Sequence, residues 1–142
     1  MRYSRGDGKD MKDEQNNVIV RESFSMAYMG GEIWFCQLDA LYDKKELVLE
    51  KFRRDMDSIR KPSATGLIGI NLNQTAMDKD MAVEIASCLI EFQKLRKVVF
   101  VGVDRKIKNS IKKYFRCNSG SISFAWNFID DFEKAKLWLV GK

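Results

Sequence analysis

Two aspartates, Asp78 and Asp80, stand just beyond a short apolar run at residues 66–72. A run of this length that is almost wholly apolar is typical of a strand buried on both faces of a parallel sheet. Open α/β sheets place their ligand sites beyond the carboxyl ends of such strands, so these carboxylates are candidate binding groups. Aspartate near a helix start also caps free N–H groups and favours the helix dipole, and this is the simpler interpretation. Two carboxylates there disfavour a phosphate ligand, because they cancel the positive end of the helix.

A basic segment at residues 96–117 carries the positive excess of the chain, whose formal net charge is +5. The segment holds eight lysines and arginines against one acidic residue, Asp104, which makes +7. Such a segment can recruit an anionic partner: an acidic protein face, nucleic acid or a membrane surface. The alternative interpretation is a solvated helix face. The residues expected on this basic surface are Arg105, Lys108, Lys112, Lys113 and Arg116.

Aromatic residues do not interleave with these cations in the sequence. Tyr114 and Phe115 fall on the apolar stripe of the same predicted helix. The segment therefore lacks the stacking platforms on which single-stranded nucleic acid binds, and we expect no specific nucleic-acid partner.

Most of the sequence signatures of enzyme active sites are absent. The sequence has no histidine, which removes the Ser-His-Asp and Cys-His hydrolases and every His-ligated metal site. Neither a G-x-G-x-x-G fingerprint nor a P-loop is present. The cysteines, Cys36, Cys88 and Cys117, are odd in number and have no C-x-x-C spacing, so we expect free thiols in a reducing compartment. The sequence predicts a non-catalytic protein without a cofactor or metal.

Length and hydropathy indicate a single domain. The 142 residues suit one domain with its own core. Residues 1–15 are polar and have no apolar period, so they predict a flexible tail before a domain over residues 16–142. The N-terminal residues lack the apolar region of a signal peptide, and no apolar run is long enough to span a bilayer. We expect a cytoplasmic protein that is a monomer and does not insert into a membrane.

Strands and helices are expected to alternate after an initial β-hairpin. The hairpin joins residues 18–29 to residues 32–38 across Gly30-Gly31. Further apolar runs predict strands at residues 66–72, 97–103 and 122–128. This order predicts an α/β fold, with a mixed and mainly parallel sheet of about five strands and about four helices.

The helices are predicted from apolar spacing and from aspartates that could cap them. The first is expected from an N-cap at Asp43 to a stop at Pro62, and the second from Asp78 to about Lys94. The second is apolar round much of its girth, which predicts contacts on more than one side. A short third helix follows Asp104. The last follows Asp130-Asp131 and is expected to bury Phe132, Ala135, Trp138 and Leu139.

The order of elements and three local strings resemble the STAS domain superfamily, the bacterial anti-sigma-factor antagonists and their SpoIIAA-like relatives. GEIWFCQLDALYDKKELVLEKFRRDM is similar to the second strand and first long helix of the family. INLNQTAMDKDMA is similar to the third strand and the loop that opens the second helix, and RKVVFVGVDRKIKNSIKKYF to the fourth strand and third helix. The resemblance covers residues from about 17 to 142 and implies a STAS-like α/β domain.

The resemblance implies a regulatory domain whose protein partner is a kinase-like anti-sigma factor. Family members that act as phospho-switches carry Asp-Ser-Ser-Gly at the start of the second helix, and the second serine accepts the phosphate. This chain has Asp78-Lys79-Asp80-Met81, so Asp80 stands where the phosphoserine would be. The partner-binding loop implied by the resemblance contains Thr75, Asp78, Lys79 and Asp80. The alternative function is a small-ligand or lipid carrier of the SpoIIAA-like type, favoured by the apolar girth of the second helix.

Overall fold

The computed structural model describes residues 11–13, 17–59 and 65–141. These residues form seven strands and four α-helices, in the order β1 (Met11–Asp13), β2 (Val18–Val20), β3 (Phe24–Tyr28), β4 (Gly31–Gln37), α1 (Lys45–Ile59), β5 (Leu67–Asn71), α2 (Lys79–Glu91), β6 (Lys97–Val101), α3 (Arg105–Cys117), β7 (Ala125–Phe128) and α4 (Phe132–Val140). A short 3-10 helix, Ser119–Ser121, precedes β7. The predicted α/β fold is confirmed.

The main sheet has five strands in the order β3-β4-β5-β6-β7, which is also their order along the chain. The predicted hairpin is confirmed: β3 and β4 are antiparallel, and Tyr28 pairs with Gly31 across the turn. The other neighbours are parallel, because each pair is joined through a helix that returns the chain to the same end of the sheet. The carboxyl ends of β4, β5, β6 and β7 therefore meet at one edge, called here the carboxyl rim.

The predicted tail, residues 1–15, lies largely outside the described residues. Its described part, Met11–Asp13, forms β1, which pairs with β2 in a separate antiparallel ribbon where Met11 lies opposite Val20. Pro62, predicted to end the first helix, is also outside the described residues.

Two hydrophobic layers cover the two faces of the sheet. On one face α1, α2 and α3 bury residues such as Phe52, Ile85 and Ile111 against alternate sheet side chains. On the other face α4 buries Ala135 and Leu139. The helix α2 packs against both α1 and α3 as well as the sheet, which confirms the contacts predicted from its apolar girth.

Three aspartates begin helices as the sequence predicts. The side chains of Asp78, Asp104 and Asp131 each accept the N–H three residues on and so cap α2, α3 and α4. The first helix differs: α1 begins at Lys45, one residue later than an N-cap at Asp43 would place it, and the Val48 N–H donates to the Lys44 carbonyl.

The prediction that α4 buries Phe132 is wrong. Phe132 is 37% exposed, although its ring lies 5.7 Å from that of Phe35. Trp138 is only half-buried, with the Lys97 ammonium 5.0 Å from its ring centre. In the part of the chain that the structure describes, α4 is the one helix on this face, so no other helix covers its flanks and only its central line is buried.

Candidate functional site

The predicted partner-binding loop lies at the carboxyl rim, where it is bound to the loop that follows β4. Tyr42 and Thr75 form a parallel β-bridge. The Thr75 hydroxyl accepts the Leu41 N–H at 3.1 Å and donates to the Leu38 carbonyl at 2.5 Å. Thr75 therefore links the two loops, and its hydroxyl is already used in hydrogen bonds within the fold.

Three non-glycine residues of these two loops have positive φ angles: Ala40 (55°), Tyr42 (50°) and Gln74 (57°). Each such conformation costs about 1–3 kcal/mol and persists only where surrounding contacts impose it. Here the Ala40 N–H donates to the Asn73 carbonyl at 2.7 Å, and the Tyr42 N–H donates to Gln74 at 3.1 Å. The rim is thus a rigid support for the residues that follow it.

Three charged side chains at the rim form the rim cluster: Lys45 at the start of α1, Asp78 at the N-cap of α2, and Asp80 in the first turn of α2. One Asp78 oxygen accepts the Met81 N–H at 2.8 Å, and the other lies 3.0 Å from the Lys45 ammonium. Asp80 lies 4.0 Å from the same ammonium. The Met81 hydrogen bond, followed by Lys45, lowers the pKa of Asp78, and the hydrogen bond to Asp78 raises the pKa of Lys45.

Solvent reaches the rim cluster unequally. The side chain of Asp78 is 50% exposed, whereas that of Asp80 is 90% exposed. Capping is therefore the structural role of Asp78, as the simpler interpretation held. Among the described residues, the one charged partner of the Asp80 side chain is Lys45, at 4.0 Å, and the rest of this side chain projects from the rim into solvent.

Lys79, the remaining residue of the loop, lines a surface groove between α2 and α3. The groove has a volume of about 340 Å³, and Val83, Tyr114 and Cys117 contribute to its wall. Lys113 lies on the α3 side. The structure thus brings together a residue of the predicted loop and a residue of the predicted basic surface.

The predicted basic surface divides into two sides of α3. Lys113 is exposed and faces the groove. On the opposite side Lys108 and Lys112 are half-buried and lie 5.6 Å and 5.8 Å from the Phe128 ring centre, and Arg116 lies 6.0 Å from that of Trp126. Arg105 is exposed in the first turn of α3.

The expectation that no aromatic residues accompany these cations is wrong. The aromatic neighbours come from β7. Its residues Trp126 and Phe128 are two apart, so both side chains lie on the face of the sheet that α3 covers. Inspection of the helix sequence alone could not show this, because the two groups meet only when β7 docks beside β6.

A second polar cluster was not predicted. Ser23, Cys36, Lys51 and Asp55, called here the buried cluster, meet where the start of β3, β4 and α1 pack together. One oxygen of Asp55 accepts from the Ser23 hydroxyl at 2.6 Å, the Lys51 ammonium at 2.8 Å and the Cys36 thiol at 3.1 Å. The Ser23 oxygen in turn accepts from Lys51 at 2.7 Å and from the Gln37 N–H at 2.8 Å.

The buried cluster has the residue types of a serine–lysine or cysteine nucleophile, but its geometry is structural. Both acceptor positions of the Ser23 oxygen are taken, and Ser23 is 3% exposed. Burial, followed by the nearby Asp55 carboxylate, raises the pKa of the Cys36 thiol well above its ordinary value, so a thiolate is disfavoured. These contacts hold β3, β4 and α1 in register.

Within the described part of the chain, no three cysteine or carboxylate side chains cluster closely enough to hold a metal ion. None of the described helices combines the length and apolar character needed to cross a bilayer. The chain matches no protein-family model, and neither a curated protein nor a solved structure shows significant similarity to it.

Proposed function

We propose that this chain is a non-catalytic regulatory domain that binds a protein partner through the carboxyl rim, at Asp80, Lys79 and the start of α2. The observation that carries the proposal is the placement of Asp80. Its carboxylate projects into solvent from the first turn of a helix that is capped by Asp78 and supported by two hydrogen-bonded loops. An exposed charge on a backbone that is already held by hydrogen bonds suits recognition, because that backbone needs little ordering when a partner binds.

The resemblance to the STAS superfamily supplies the class of partner, a kinase-like anti-sigma factor. By this resemblance, Asp80 stands where the phosphorylated serine of that family would be. A carboxylate carries about one negative charge and two acceptor oxygens, against a charge of roughly −1.5 to −2 and three acceptors for phosphoserine. In this proposal Asp80 holds the rim permanently in a form that partly imitates the phosphorylated state, and no kinase toggles it.

The partner is to be recovered by affinity purification at native levels, with mass spectrometry of the proteins that co-purify. Wild type, Asp80→Ser and Asp57→Ser are then titrated against it, with melting curves alongside. Asp57 is an exposed aspartate of α1 and controls for the loss of one surface charge. We expect Asp80→Ser alone to change the affinity. Equal affinities for all three proteins, with only a lower melting temperature for Asp80→Ser, would refute the proposal and leave a helix-dipole contact.

A small-ligand or lipid carrier is the second candidate function, and the groove between α2 and α3 favours it. Its volume of about 340 Å³ lies at the lower end of the range for small-molecule sites. Apolar and aromatic side chains line it beside Lys79 and Lys113, which suits an acyl chain with an acidic head. Lipid that co-purifies with the wild type and is lost in Val83→Asp would favour the carrier, whereas recovery of a protein partner without lipid would favour the regulatory domain.

We further propose that the domain is monomeric and works in a reducing compartment such as the cytoplasm. None of the three cysteines, Cys36, Cys88 and Cys117, forms a disulfide, and Cys117 is exposed, which suits a compartment that keeps thiols reduced. Light scattering coupled to size exclusion, with and without reductant, tests this. A stable dimer under reducing conditions would contradict it.

A further inference from the structure

The outer edge of β7 and the side of α3 that faces it form a second surface, distinct from the carboxyl rim. Strand β7 is the last of the five-stranded sheet and pairs with β6. The N–H groups of Ala125 and Ile129 donate to carbonyls on the β6 side. Because backbone polar groups alternate in a parallel ladder, those of Trp126 and Phe128 point away from β6.

This edge is only partly blocked. The Phe128 N–H is taken by the neighbouring Asn127 side chain at 2.8 Å. The Trp126 N–H and the carbonyls of Trp126 and Phe128 also point away from β6, and among the described residues no hydrogen bond outside the β6–β7 ladder engages them. An open edge of this kind can accept a further strand from a partner.

A row of cations runs beside the edge. Lys108, Lys112 and Arg116 are four residues apart on α3 and lie over the rings of Phe128 and Trp126. Among the described residues no carboxylate lies within ion-pair distance of any of the three. Their charges are therefore uncompensated by the fold, and the row has one sign over its whole length.

The spacing of these cations matches an extended peptide. Residues four apart on a helix are separated by about 6 Å along its axis. Alternate residues of a strand, which share one face, are separated by roughly 6.6 Å. Acidic side chains at every second position of a strand added to β7 would therefore meet Lys108, Lys112 and Arg116 one after another.

We infer that the β7 edge and the Lys108–Lys112–Arg116 row bind an extended acidic segment of a partner protein by strand addition. Main-chain hydrogen bonds to Trp126 and Phe128 would fix the register, and the three cations would select acidic residues on one face of the added strand. Single-stranded nucleic acid suits the surface less well. The cations already lie over the aromatic rings, which would have to be uncovered before a base could stack on them.

The test uses a short fluorescent peptide in which glutamate and threonine alternate, and its binding to the full chain is followed by anisotropy. We expect the glutamine version of the peptide to bind about tenfold more weakly or worse, and binding to weaken with salt. The variant Lys108→Glu/Lys112→Glu should lose about tenfold or more in affinity, and Lys108→Gln/Lys112→Gln should lose less. The matched control is Lys106→Glu/Lys113→Glu. Both lysines are exposed and, being seven residues apart, share the side of α3 that faces the groove. The same charge change there should lose less than about threefold.

Methylation of the peptide backbone nitrogens separates strand addition from simple charge attraction. In an added strand alternate N–H groups face β7, so methylation at one set of alternate positions should abolish binding, and methylation at the other set should leave it. Equal effects of the two methylated peptides, or of the two charge-reversed pairs, would overturn the inference. So would an undetectable affinity for the glutamate peptide, or tighter binding of an oligothymidine that depends on Lys108 and Lys112. Circular dichroism of each variant confirms that it is folded.

Discussion

The buried cluster and the rim cluster place the same chemistry, a lysine against aspartate, in two different environments along α1. In the buried cluster the side chains of Lys51 and Asp55 are 6% and 14% exposed, and their atoms are bonded to Ser23, Cys36 and each other. In the rim cluster the side chains of Lys45, Asp78 and Asp80 are 39%, 50% and 90% exposed. Burial makes the first pair costly to break, whereas water can replace most contacts of the second. The same residue types therefore serve the fold in one place and remain available to a partner in the other.

The largest effect is expected from Lys51→Ala. The substitution leaves the Asp55 carboxylate buried without its cation, which typically costs about 3–5 kcal/mol. The free energy of unfolding, from urea titration at neutral pH, measures this. The matched control is Lys45→Ala in the rim cluster, where the loss of a solvent-exposed pair should change the free energy of unfolding far less. Similar losses for the two variants would remove the distinction between the clusters.

The double variant Lys51→Ala/Asp55→Ala sharpens the same point. It removes both charges, so the stranded carboxylate is gone. We expect its loss to be smaller than the sum of the single losses, with a coupling energy of roughly 0.5–3 kcal/mol for residues in contact. Additive losses would mean that the two side chains stabilise the fold independently.

The next effect in size is expected from Asp78→Ala, which removes the N-cap of α2. Loss of such a cap costs about 0.5–2 kcal/mol. Asp78→Asn keeps an acceptor for the Met81 N–H and should retain most of this stability. An Asn variant as unstable as the Ala variant would show that the charge, and not the cap, matters at this position.

The contribution of the Asp78 charge also has a pH dependence of known sign. Its pKa is lowered in the folded protein, so its stabilising effect is full above the unfolded aspartate pKa of about 3.9 and is lost as pH falls through the lower folded value. The difference in unfolding free energy between wild type and Asp78→Asn should therefore be constant near neutrality and shrink below about pH 4. A difference that grows on acidification would contradict the assigned contacts.

The rates at which a reagent modifies two cysteines compare the buried cluster with an exposed site. Cys117 is exposed, whereas Cys36 is 2% exposed and has a raised pKa. A thiol reagent at neutral pH should modify Cys117 in the native protein and Cys36 only when the protein unfolds, because the thiolate is the reactive species. Peptide mapping after a timed reaction identifies the sites. Rapid native labelling of Cys36 would mean that the buried cluster opens readily.

The fold was predictable because hydrophobic periodicity reports burial directly. The runs at β5 and β6 are apolar on both faces and occupy the centre of the sheet, as expected. The aspartates before α2, α3 and α4 indicated helix starts because capping is a local interaction. The location of Asp78 and Asp80 followed from the rule that parallel strands end at one rim.

The buried cluster was missed because it joins residues far apart in sequence, and its distances depend on tertiary packing. A signal did exist: Lys51 and Asp55 stand three and seven residues after Val48, at the spacing of the buried stripe of α1. Two opposite charges at stripe positions four residues apart indicate an internal ion pair. No local spacing could predict the aromatic rings beneath the basic surface, because Trp126 and Phe128 belong to β7 and the cations belong to α3.

The smallest effect on the free energy of unfolding is expected from Asp80→Asn. This variant tests most directly whether the rim cluster differs from the buried cluster. The Asp80 carboxylate stands in the first turn of α2 and lies 4.0 Å from Lys45, while 90% of its side chain is exposed. Its stabilising effect on the helix dipole is about 0.3–1 kcal/mol and should decrease further in salt. A double-mutant cycle of Asp80→Asn with Lys45→Ala, measured by urea unfolding, should give a coupling energy close to zero. A loss of about 2 kcal/mol or more would place Asp80 with Asp55, as a residue that the fold requires. A loss below about 1 kcal/mol leaves the Asp80 charge free for recognition at the rim.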